Sequence, residues 1–280
     1  MVILYSKVGG FCNRLWQAAH FIANAKENNY RFIHLGFSEY VKFFNQNGSF
    51  NMSRKVYFND YQNTSMENRL IIKYASYKMP FTKEFYFERW GNDNFESFNL
   101  SSADFVQDVK KRIVKVDGWG FIDGKSLDKH SDYIRKVFTP NKLSVAKDFI
   151  GGLSYDKIIG VHMRRGDYLK FNEGKYYFKD CDYKSFMLQC CNMYPNKNIG
   201  FFLCSDEKIN YDNFFDFNIC KPGFSGVIED LYTLSYCDLI IGPPSTFSEW
   251  ASFYGKTPAY HIQSKKETLH QDKFKIIGLL

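Results

Sequence analysis

Two adjacent arginines follow an apolar stretch in the second half of the 280-residue chain. Arg164 and Arg165 come after Lys157–Val161, whose Ile and Val residues predict a buried strand. The carboxyl ends of strands in open α/β sheets are where ligands bind, and the guanidinium fork fits a phosphate group. Asp167 can hold a guanidinium in place, and Gly166 permits a tight turn. The segment therefore predicts a site for a phosphorylated ligand, with a structural salt bridge as the alternative.

Strand alternation distinguishes the two arginines. His162 and Arg164 lie two positions apart, so their side chains share one face of an extended strand. We expect Arg164 to meet the phosphates, whereas Arg165 points away and braces the loop through Asp167. A carboxylate beside two guanidinium groups is a poor proton acceptor, which argues against Asp167 as a general base. Taken alone, His162 is equally well interpreted as a hydrogen-bonded histidine at a strand end.

A second candidate site follows the first predicted strand. Val2–Tyr5 predicts this strand, Asn13–Glu27 carries apolar residues at helical spacing, and Arg31–Leu35 predicts the next strand. Gly9 and Gly10 then lie in the first loop of a βαβ unit. There, backbone N–H groups and the helix N-terminus can bind a phosphate or a sugar. A simple tight turn is the alternative.

The second half of the chain repeats the α/β pattern. Ser205 and Asp206 follow the predicted strand Ile199–Cys204. Ser245 and Thr246 lie at the start of a predicted helix, where they can cap the helix or bind an anion at its N-terminus. Residues 37–100 are polar and aromatic with weak periodicity, and we interpret them as irregular or helical decoration. The other predicted elements are strands Arg112–Val116, Leu239–Ile241 and Pro258–Ile262, the loop Gly118–Gly120, and helices His130–Phe138, Asp182–Tyr194, Gly226–Tyr236 and Phe247–Tyr254.

The pattern His-x-Arg-Arg-Gly-Asp-Tyr at 162–168 resembles the α-1,2-fucosyltransferase family, and more distantly the α-1,6- and protein O-fucosyltransferases. Other segments similar to this family stand in the family's order. They are Gly9-Gly10-Phe11-Cys12-Asn13-Arg14, Gly118–Ile122, Ile134–Pro140, Cys204-Ser205-Asp206, Glu229-Asp230-Leu231 and Ser245–Trp250. The chain departs from the family at Ile122, where a Gln is usual, and in Gly242–Trp250, where the family has Asn-Ser-Ser-Phe-Ser-Trp-Trp.

The resemblance implies an α/β fold of the GT-B type, with two Rossmann-like halves facing a central cleft. Residues 1–145 would form the acceptor-side domain, lined in part by residues 37–100, and 146–280 would bind the GDP-sugar. The implied reaction is inverting transfer of L-fucose from GDP-β-L-fucose to a glycan hydroxyl, O2 of a terminal galactose, without a metal or other cofactor. Another GDP-deoxyhexose as donor and a non-catalytic nucleotide-sugar or glycan-binding module are the alternatives.

The resemblance also implies roles for individual residues. Arg164 and Asp167 are the predicted catalytic residues, with Arg164 on the β-phosphate, and Asp230 would accept hydrogen bonds from guanine. Three acidic residues of the N-terminal half are candidates for the general base, namely Glu39, Asp117 and Asp123. The predicted donor-binding residues are Gly10, Phe11, Asn13, His162, Arg164, Arg165, Ser205, Asp206, Asp230, Ser245, Thr246 and Phe247.

Composition limits the other classes of function. The net charge of +7 is compatible with an anionic ligand or with peripheral contact at an anionic membrane surface, but no run of five Lys or Arg residues supports nucleic-acid binding. Seven scattered cysteines without a Cys-x-x-Cys pair argue for a reducing compartment and against a zinc site. We expect a cytoplasmic protein that can bind peripherally to the inner face of the membrane. Asp180-Cys181-Asp182 resembles a metal-binding pair, although helix capping by Asp182 is the better interpretation.

Overall fold

The computed structural model describes residues 1–5, 7–37, 39–44, 56–58, 82–88 and 97–278. The chain divides into two compact units, residues 1–141 and the residues from Lys142 onward. Each unit contains a parallel sheet, as the predicted α/β pattern requires.

The sheet of the first unit has five parallel strands in the order β3-β2-β1-β6-β4. Its strands are β1 Val2–Leu4, β2 Phe32–His34, β3 Val56–Phe58, β4 Thr82–Glu88 and β6 Ile113–Trp119, and a short separate pair is formed by β5 Phe98–Asn99 and β7 Phe121–Ile122. The helices are α1 Phe11–Asn28, α2 Ala103–Lys111, α3 Gly124–Lys129 and α4 Ser131–Val137. The apolar residues whose spacing predicted helix α1 lie on its buried face, since Leu15, Ala18, Ala19 and Ile22 are fully buried.

Helix α1 begins at Phe11, two residues before the predicted start. The ring of Phe11 packs against Tyr40 at a centroid distance of 4.7 Å and against Phe44 at 6.2 Å. Burial of this ring favours inclusion of Phe11 in the helix, and only 7% of the residue is exposed.

The interpretation of residues 37–100 as irregular or helical decoration agrees with the 3₁₀ turn Val41–Phe43 but is wrong for the described residues that form strands. Val56–Phe58 and Thr82–Glu88 are parallel strands at the two edges of the first sheet. Most of the remaining residues of 37–100, the segment expected to line the acceptor side, lie outside the described residues. Pairing with β4 also extends β6 through Trp119, so Gly118 belongs to a strand rather than to the predicted loop.

The second unit has a four-stranded parallel sheet in the order β11-β10-β8-β9. Its strands are β8 Lys157–Met163, β9 Ile199–Ser205, β10 Leu239–Gly242 and β11 Ala259–His261, and its helices are α5 Leu143–Gly151, α6 Asp180–Met193, α7 Val227–Ser235 and α8 Thr246–Gly255. Strands β8 and β9 are buried on both faces, which is why they read as continuous apolar runs. A core of aromatic and aliphatic side chains, including Phe178, Phe186 and Met187, packs between α6 and the sheet.

A buried polar network joins α1 to the start of α3 in the first unit. The Asn24 amide donates to Asp123 Oδ2 at 2.7 Å and to the Leu100 carbonyl at 3.1 Å, while its oxygen accepts from the Tyr30 hydroxyl at 2.6 Å. Asp123 Oδ1 caps α3 by accepting from the Ser126 N–H at 2.9 Å. Because Asn24 is fully buried, its loss leaves several polar groups without partners and without water.

This network predicts a large difference between two asparagines on one helix. Asn24→Ala should lower the free energy of unfolding by about 2–4 kcal/mol, because the Tyr30 hydroxyl and the Asp123 carboxylate stay buried but lose a partner. Asn28→Ala is the control; it removes one bond to a helix carbonyl and should cost less than about 1 kcal/mol. Denaturant unfolding of both variants checks this, and equal losses would contradict it.

Candidate functional site

The carboxyl ends of the strands in the second unit bring most of the predicted donor-binding residues to one edge of the sheet. Parallel pairing places His162 beside Cys204 and Met163 beside Ser205, while Gly242 of β10 pairs with His261 of β11. Ser205 ends β9, and its hydroxyl donates to the Met163 carbonyl at 2.8 Å. The loops that follow β8, β9 and β10 therefore start next to one another.

Arg164 is held at this edge by two carboxylates. Its Nη2 lies 2.6 Å from Asp167 Oδ1, and its Nη1 lies 2.8 Å from Asp206 Oδ2. Asp206 also accepts from the backbone N–H of Arg165 at 2.8 Å. The Arg164 side chain keeps 31% of its surface exposed, so a fixed and oriented guanidinium remains accessible from solvent.

The predicted bracing of Arg165 by Asp167 is wrong. Arg165 forms its ion pair with Asp180 at the start of α6, and its side chain is only 12% exposed. Alternation of side chains stops at Met163, where β8 ends. At Gly166 the backbone has a positive φ of +28° and enters the 3₁₀ turn Gly166–Leu169, which returns Asp167 to the side of Arg164.

Both carboxylates of the Asp180-Cys181-Asp182 motif have structural partners. Asp180 pairs with Arg165 and also accepts from the Asn213 side chain. Asp182 accepts from the Lys179 N–H at 2.7 Å, so it caps the helix from its third position while the helix itself begins at Asp180. Among the described residues, no group of three or more His, Cys, Asp or Glu side chains is arranged to hold a metal ion.

His162 is buried behind Arg164. Its ring stacks on Phe247 with a centroid distance of 4.9 Å and an interplanar angle of 29°. Burial, together with the charge of Arg164 and the proximity of His261, lowers the pKa of His162 to about 3. The imidazole is therefore neutral at physiological pH. Within the described part of the chain, its buried Nδ1 has no hydrogen-bond partner.

The N-terminus of α8 lies on the same edge. Ser245 is its N-cap and accepts from the Phe247 N–H at 3.3 Å, and Thr246 is the first helical residue. Both residues are half-buried. Helix N-termini carry unsatisfied N–H groups and a partial positive charge, which suits an anionic ligand.

Tyr168 connects this helix start to the arginine loop, and the sequence interpretation missed it. Its hydroxyl donates to the Pro244 carbonyl at 2.6 Å, and the Arg164 guanidinium lies 5.4 Å from its ring centroid. Tyrosine carries no charge, so its residue type alone does not predict a role in a phosphate site. Its position four residues after Arg164, at the end of the same motif, is the signal that was available.

Asp230 lies in the first turn of α7. Burial and the neighbouring Glu229 raise the pKa of Asp230 from 3.8 to about 6. Asp230 contributes to the raised pKa values of Cys204, at the end of β9, and of Tyr211, after burial as the main cause of both shifts. The carboxyl group thus lies near the same sheet edge, and it holds a proton more tightly than an exposed aspartate.

The first unit contains the other predicted donor-binding residues, at the end of the β1–α1 loop and in the first turn of α1. Gly9 has a φ of +76°, and the Asn13 side chain occupies the space where a Cβ would project. Gly10 is the extended residue before α1. The side chain of Phe11 belongs to the core, which leaves its backbone N–H as the group that can reach a ligand.

Arg14 fixes the shape of this loop. Its guanidinium donates to the carbonyls of Lys7 at 2.9 Å, Gly9 at 3.1 Å and Gly36 at 3.1 Å, and it pairs with Glu39. These bonds turn the carbonyl groups of the loop toward Arg14.

The three candidates for the general base differ in exposure. Asp123 is only 2% exposed and caps α3. Because an acceptor cannot reach it, the prediction of Asp123 as a possible general base is wrong. Asp117 is exposed near the carboxyl end of β6, where one of its oxygens accepts from the Gly118 N–H at 2.9 Å. Glu39 is also exposed and is paired with Arg14.

All seven cysteines are free thiols. In the ranges that the structure describes, no helix combines the length and the apolar character needed to span a bilayer.

Several solved structures share the fold of this chain. A mutant of Arabidopsis thaliana FUT1 in complex with GDP has 12% identity and a TM-score of 0.59, with 98% of this chain and 73% of that chain covered. POFUT1 in complex with GDP-fucose has 14% identity and a TM-score of 0.61, with coverage of 94% and 97%. The fucosyltransferase NodZ from Bradyrhizobium has 16% identity and a TM-score of 0.55, with coverage of 89% and 92%.

These similarities confirm the predicted α/β fold of the GT-B type. No curated protein matches the chain by sequence. The model of glycosyl transferase family 11, in contrast, matches residues 82–275, which are more than half of the chain. This match includes the arginine loop, both of its carboxylate partners and the start of α8, and it makes the chain a member of glycosyl transferase family 11.

Proposed function

We propose that this protein is an inverting fucosyltransferase that moves L-fucose from GDP-β-L-fucose to O2 of a terminal galactose. The observation that carries the proposal is the oriented Arg164 guanidinium beside the N-terminus of α8. Membership of a glycosyl transferase family supports sugar transfer. Structurally similar proteins that are fucosyltransferases, one of them in complex with GDP-fucose, support the choice of donor.

In this proposal Arg164 is the catalytic residue that meets the diphosphate. The leaving group gains negative charge as the glycosidic bond breaks, so a preorganised cation stabilises the transition state more than the ground state. Asp206 keeps Nη1 of Arg164 in place. Asp167 has 65% of its side chain exposed, so a phosphate oxygen can replace it on Nη2 at small cost. In this proposal Asp167 therefore orients Arg164 before the diphosphate binds, and it is not itself a catalytic residue.

In this proposal Asp230 binds the guanine base of the nucleotide. An ionised carboxylate can accept from both N1–H and N2–H₂ of guanine, a donor pair that adenine and uracil do not offer. The half-buried position of Asp230 near the end of β9 makes this pairing strong, because few water molecules compete for the carboxylate. A ligand that supplies two donors also offsets the cost of ionising a buried acid.

Arg164 and the start of α8 provide the positive charge for the diphosphate, so we propose that transfer needs no metal ion. The first unit would supply the acceptor side, with the Gly9–Asn13 loop on the donor and Asp117 or Glu39 as the general base. The seven free cysteines support a cytoplasmic enzyme, and the net charge of +7 supports its peripheral contact with an anionic membrane surface.

The role of Asp230 predicts selectivity for guanine. GDP should raise the melting temperature of the protein, whereas ADP and UDP at equal concentration should leave it nearly unchanged, because only guanine satisfies the carboxylate. Asp230→Asn should abolish the difference, and Glu229→Gln, a neighbouring loss of the same charge, should retain it. Equal shifts with all three nucleotides in the unmodified protein would exclude this role for Asp230.

The raised pKa of Asp230 predicts a pH dependence of opposite sign for stability and for binding. The folded-state pKa of about 6 exceeds the ordinary value of 3.8, so Asp230 by itself contributes stability that increases as pH falls through 6 toward 4. The buried histidines His20, His162 and His261 have lowered pKa values and act in the opposite direction, so the contribution of Asp230 is the difference between the unmodified protein and Asp230→Asn. GDP needs the ionised form, so its affinity should fall about tenfold between pH 7.5 and pH 5 from this group alone.

Titration calorimetry of GDP binding across this pH range provides the measurement, with Asp230→Asn as the control. The phosphates of GDP titrate with both proteins, so the difference between the two profiles isolates Asp230. Profiles of the same shape would contradict the prediction.

The two arginines should respond differently to replacement by lysine. Arg164→Lys keeps the charge but loses the fork, and we expect turnover to fall by about a hundredfold or more with little change in melting temperature. Arg165→Lys should lower the melting temperature as well as activity, because it weakens a partly buried pair with Asp180. The measurements are initial rates of fucose transfer from GDP-fucose in excess EDTA and the melting curves of both variants.

The opposite pattern, an active Arg164→Lys and an inactive Arg165→Lys of normal stability, would reverse the assigned roles. Activity that disappears in EDTA and returns with Mn²⁺ would contradict the metal-independent mechanism.

A further inference from the structure

Tyr168 bridges two loops that lie far apart in the sequence. Its hydroxyl donates to the Pro244 carbonyl across a separation of 76 residues, with an O···O distance of 2.6 Å. Its ring packs on the Arg164 guanidinium at 5.4 Å and stacks on Phe171 at a centroid distance of 5.2 Å. One side chain therefore contacts both the catalytic arginine of the proposed reaction and the residue immediately before the Ser245 N-cap.

We infer that Tyr168 is a positioning residue that fixes the spacing between Arg164 and the N-terminus of α8, and thereby the geometry of the diphosphate site. This inference rests on the proposed function, since it concerns the ligand of that same site. The guanidinium and the helix start are carried by different loops, after β8 and after β10. Simultaneous contact of both with one diphosphate requires that the two loops keep a constant distance.

The sequence of the β10–α8 loop explains why a bond from outside is needed. Pro243 and Pro244 have no backbone N–H, so the loop has few donors with which to fix itself. The Pro244 carbonyl precedes the N-cap directly, and a bond to it restrains the position of Ser245. The half-buried hydroxyl of Tyr168 supplies this bond.

The hydroxyl remains a donor at physiological pH. Burial raises the pKa of Tyr168 above its ordinary value of 10, although the Ser245 hydroxyl and the Arg164 charge act in the opposite direction. The phenol thus keeps its proton and the bond to Pro244 persists. The ring contributes independently, because a guanidinium above an aromatic face is attracted to it and loses freedom of rotation.

The test compares ligands with and without phosphates. Tyr168→Phe removes only the hydroxyl, and loss of one hydrogen bond should weaken GDP binding by roughly fivefold to tenfold. Guanosine, which lacks the diphosphate, should bind the variant within about twofold of its affinity for the unmodified protein. Titration calorimetry with both ligands gives the phosphate-dependent part of the affinity as a ratio of dissociation constants.

Tyr176→Phe is the matched control. Tyr176 lies on the same connection between β8 and α6, and its hydroxyl donates to the exposed Gln263 side chain at 3.2 Å. This variant should change neither affinity. Tyr168→Leu, which also removes the ring from Arg164, should lower kcat for fucose transfer more than Tyr168→Phe does, while KM for the acceptor stays the same.

Each other outcome has a definite meaning. If Tyr168→Phe binds GDP as tightly as the unmodified protein, or weakens GDP and guanosine by the same factor, Tyr168 does not position the diphosphate site. If the unmodified protein itself binds GDP no more tightly than guanosine, the proposed function fails and the inference fails with it. A GDP preference in the unmodified protein that Tyr168→Phe fully retains overturns only the inference.

Discussion

The parallel pairing of β8 with β9 and β10 is the constraint on which the site in the second unit depends. Met163 pairs with Ser205 and Ile241 pairs with Val161, so three strands end within about one residue of each other. The charged and polar groups of the site lie in the last residues of these strands or in the loops and helices that start at this edge. A shift in the register of β9 would remove Asp206 from Arg164 and from the Arg165 backbone at once.

The electrostatics of the site follow from burial at that edge. His162 is neutral because burial lowers its pKa, so the cation that faces solvent there is Arg164. Its two carboxylate partners differ in exposure, and the more exposed partner, Asp167, is the one that a diphosphate can displace. Asp230 has a raised pKa for the same physical reason that His162 has a lowered one, since burial disfavours the charged form of both.

Much of the second unit could be predicted from the sequence, because strands buried on both faces are continuous apolar runs. The ends of β8, β9 and β10 fall within two residues of the predicted ends. The partners of the two arginines could not be predicted, since strand alternation gives no information after Met163. The turn at Gly166 and the start of α6 decide that Asp167 pairs with Arg164 and that Asp180 pairs with Arg165.

The first unit was harder to predict for a different reason. Strand β4 carries Lys83 and Glu84, and charged residues obscure the pattern of a strand. In the fold these charges are paired, Lys83 with Asp108 at 2.5 Å and Glu84 with Lys115 at 3.5 Å. Asp123 likewise stands before a helix in the sequence, where an exposed base and a buried cap look the same. Only the packing of Asn24 and Tyr30 around it identifies it as a cap.

The most direct test of the account is identification of the product formed from GDP-β-L-fucose and a galactose-terminated disaccharide. The protein is incubated with both in EDTA, and the product is analysed by NMR spectroscopy. We expect release of GDP and an α-linked fucose on O2 of galactose, because inversion converts the β-linked donor into an α-linked product. A β-linked product, or transfer from a different nucleotide sugar with none from GDP-fucose, would contradict it.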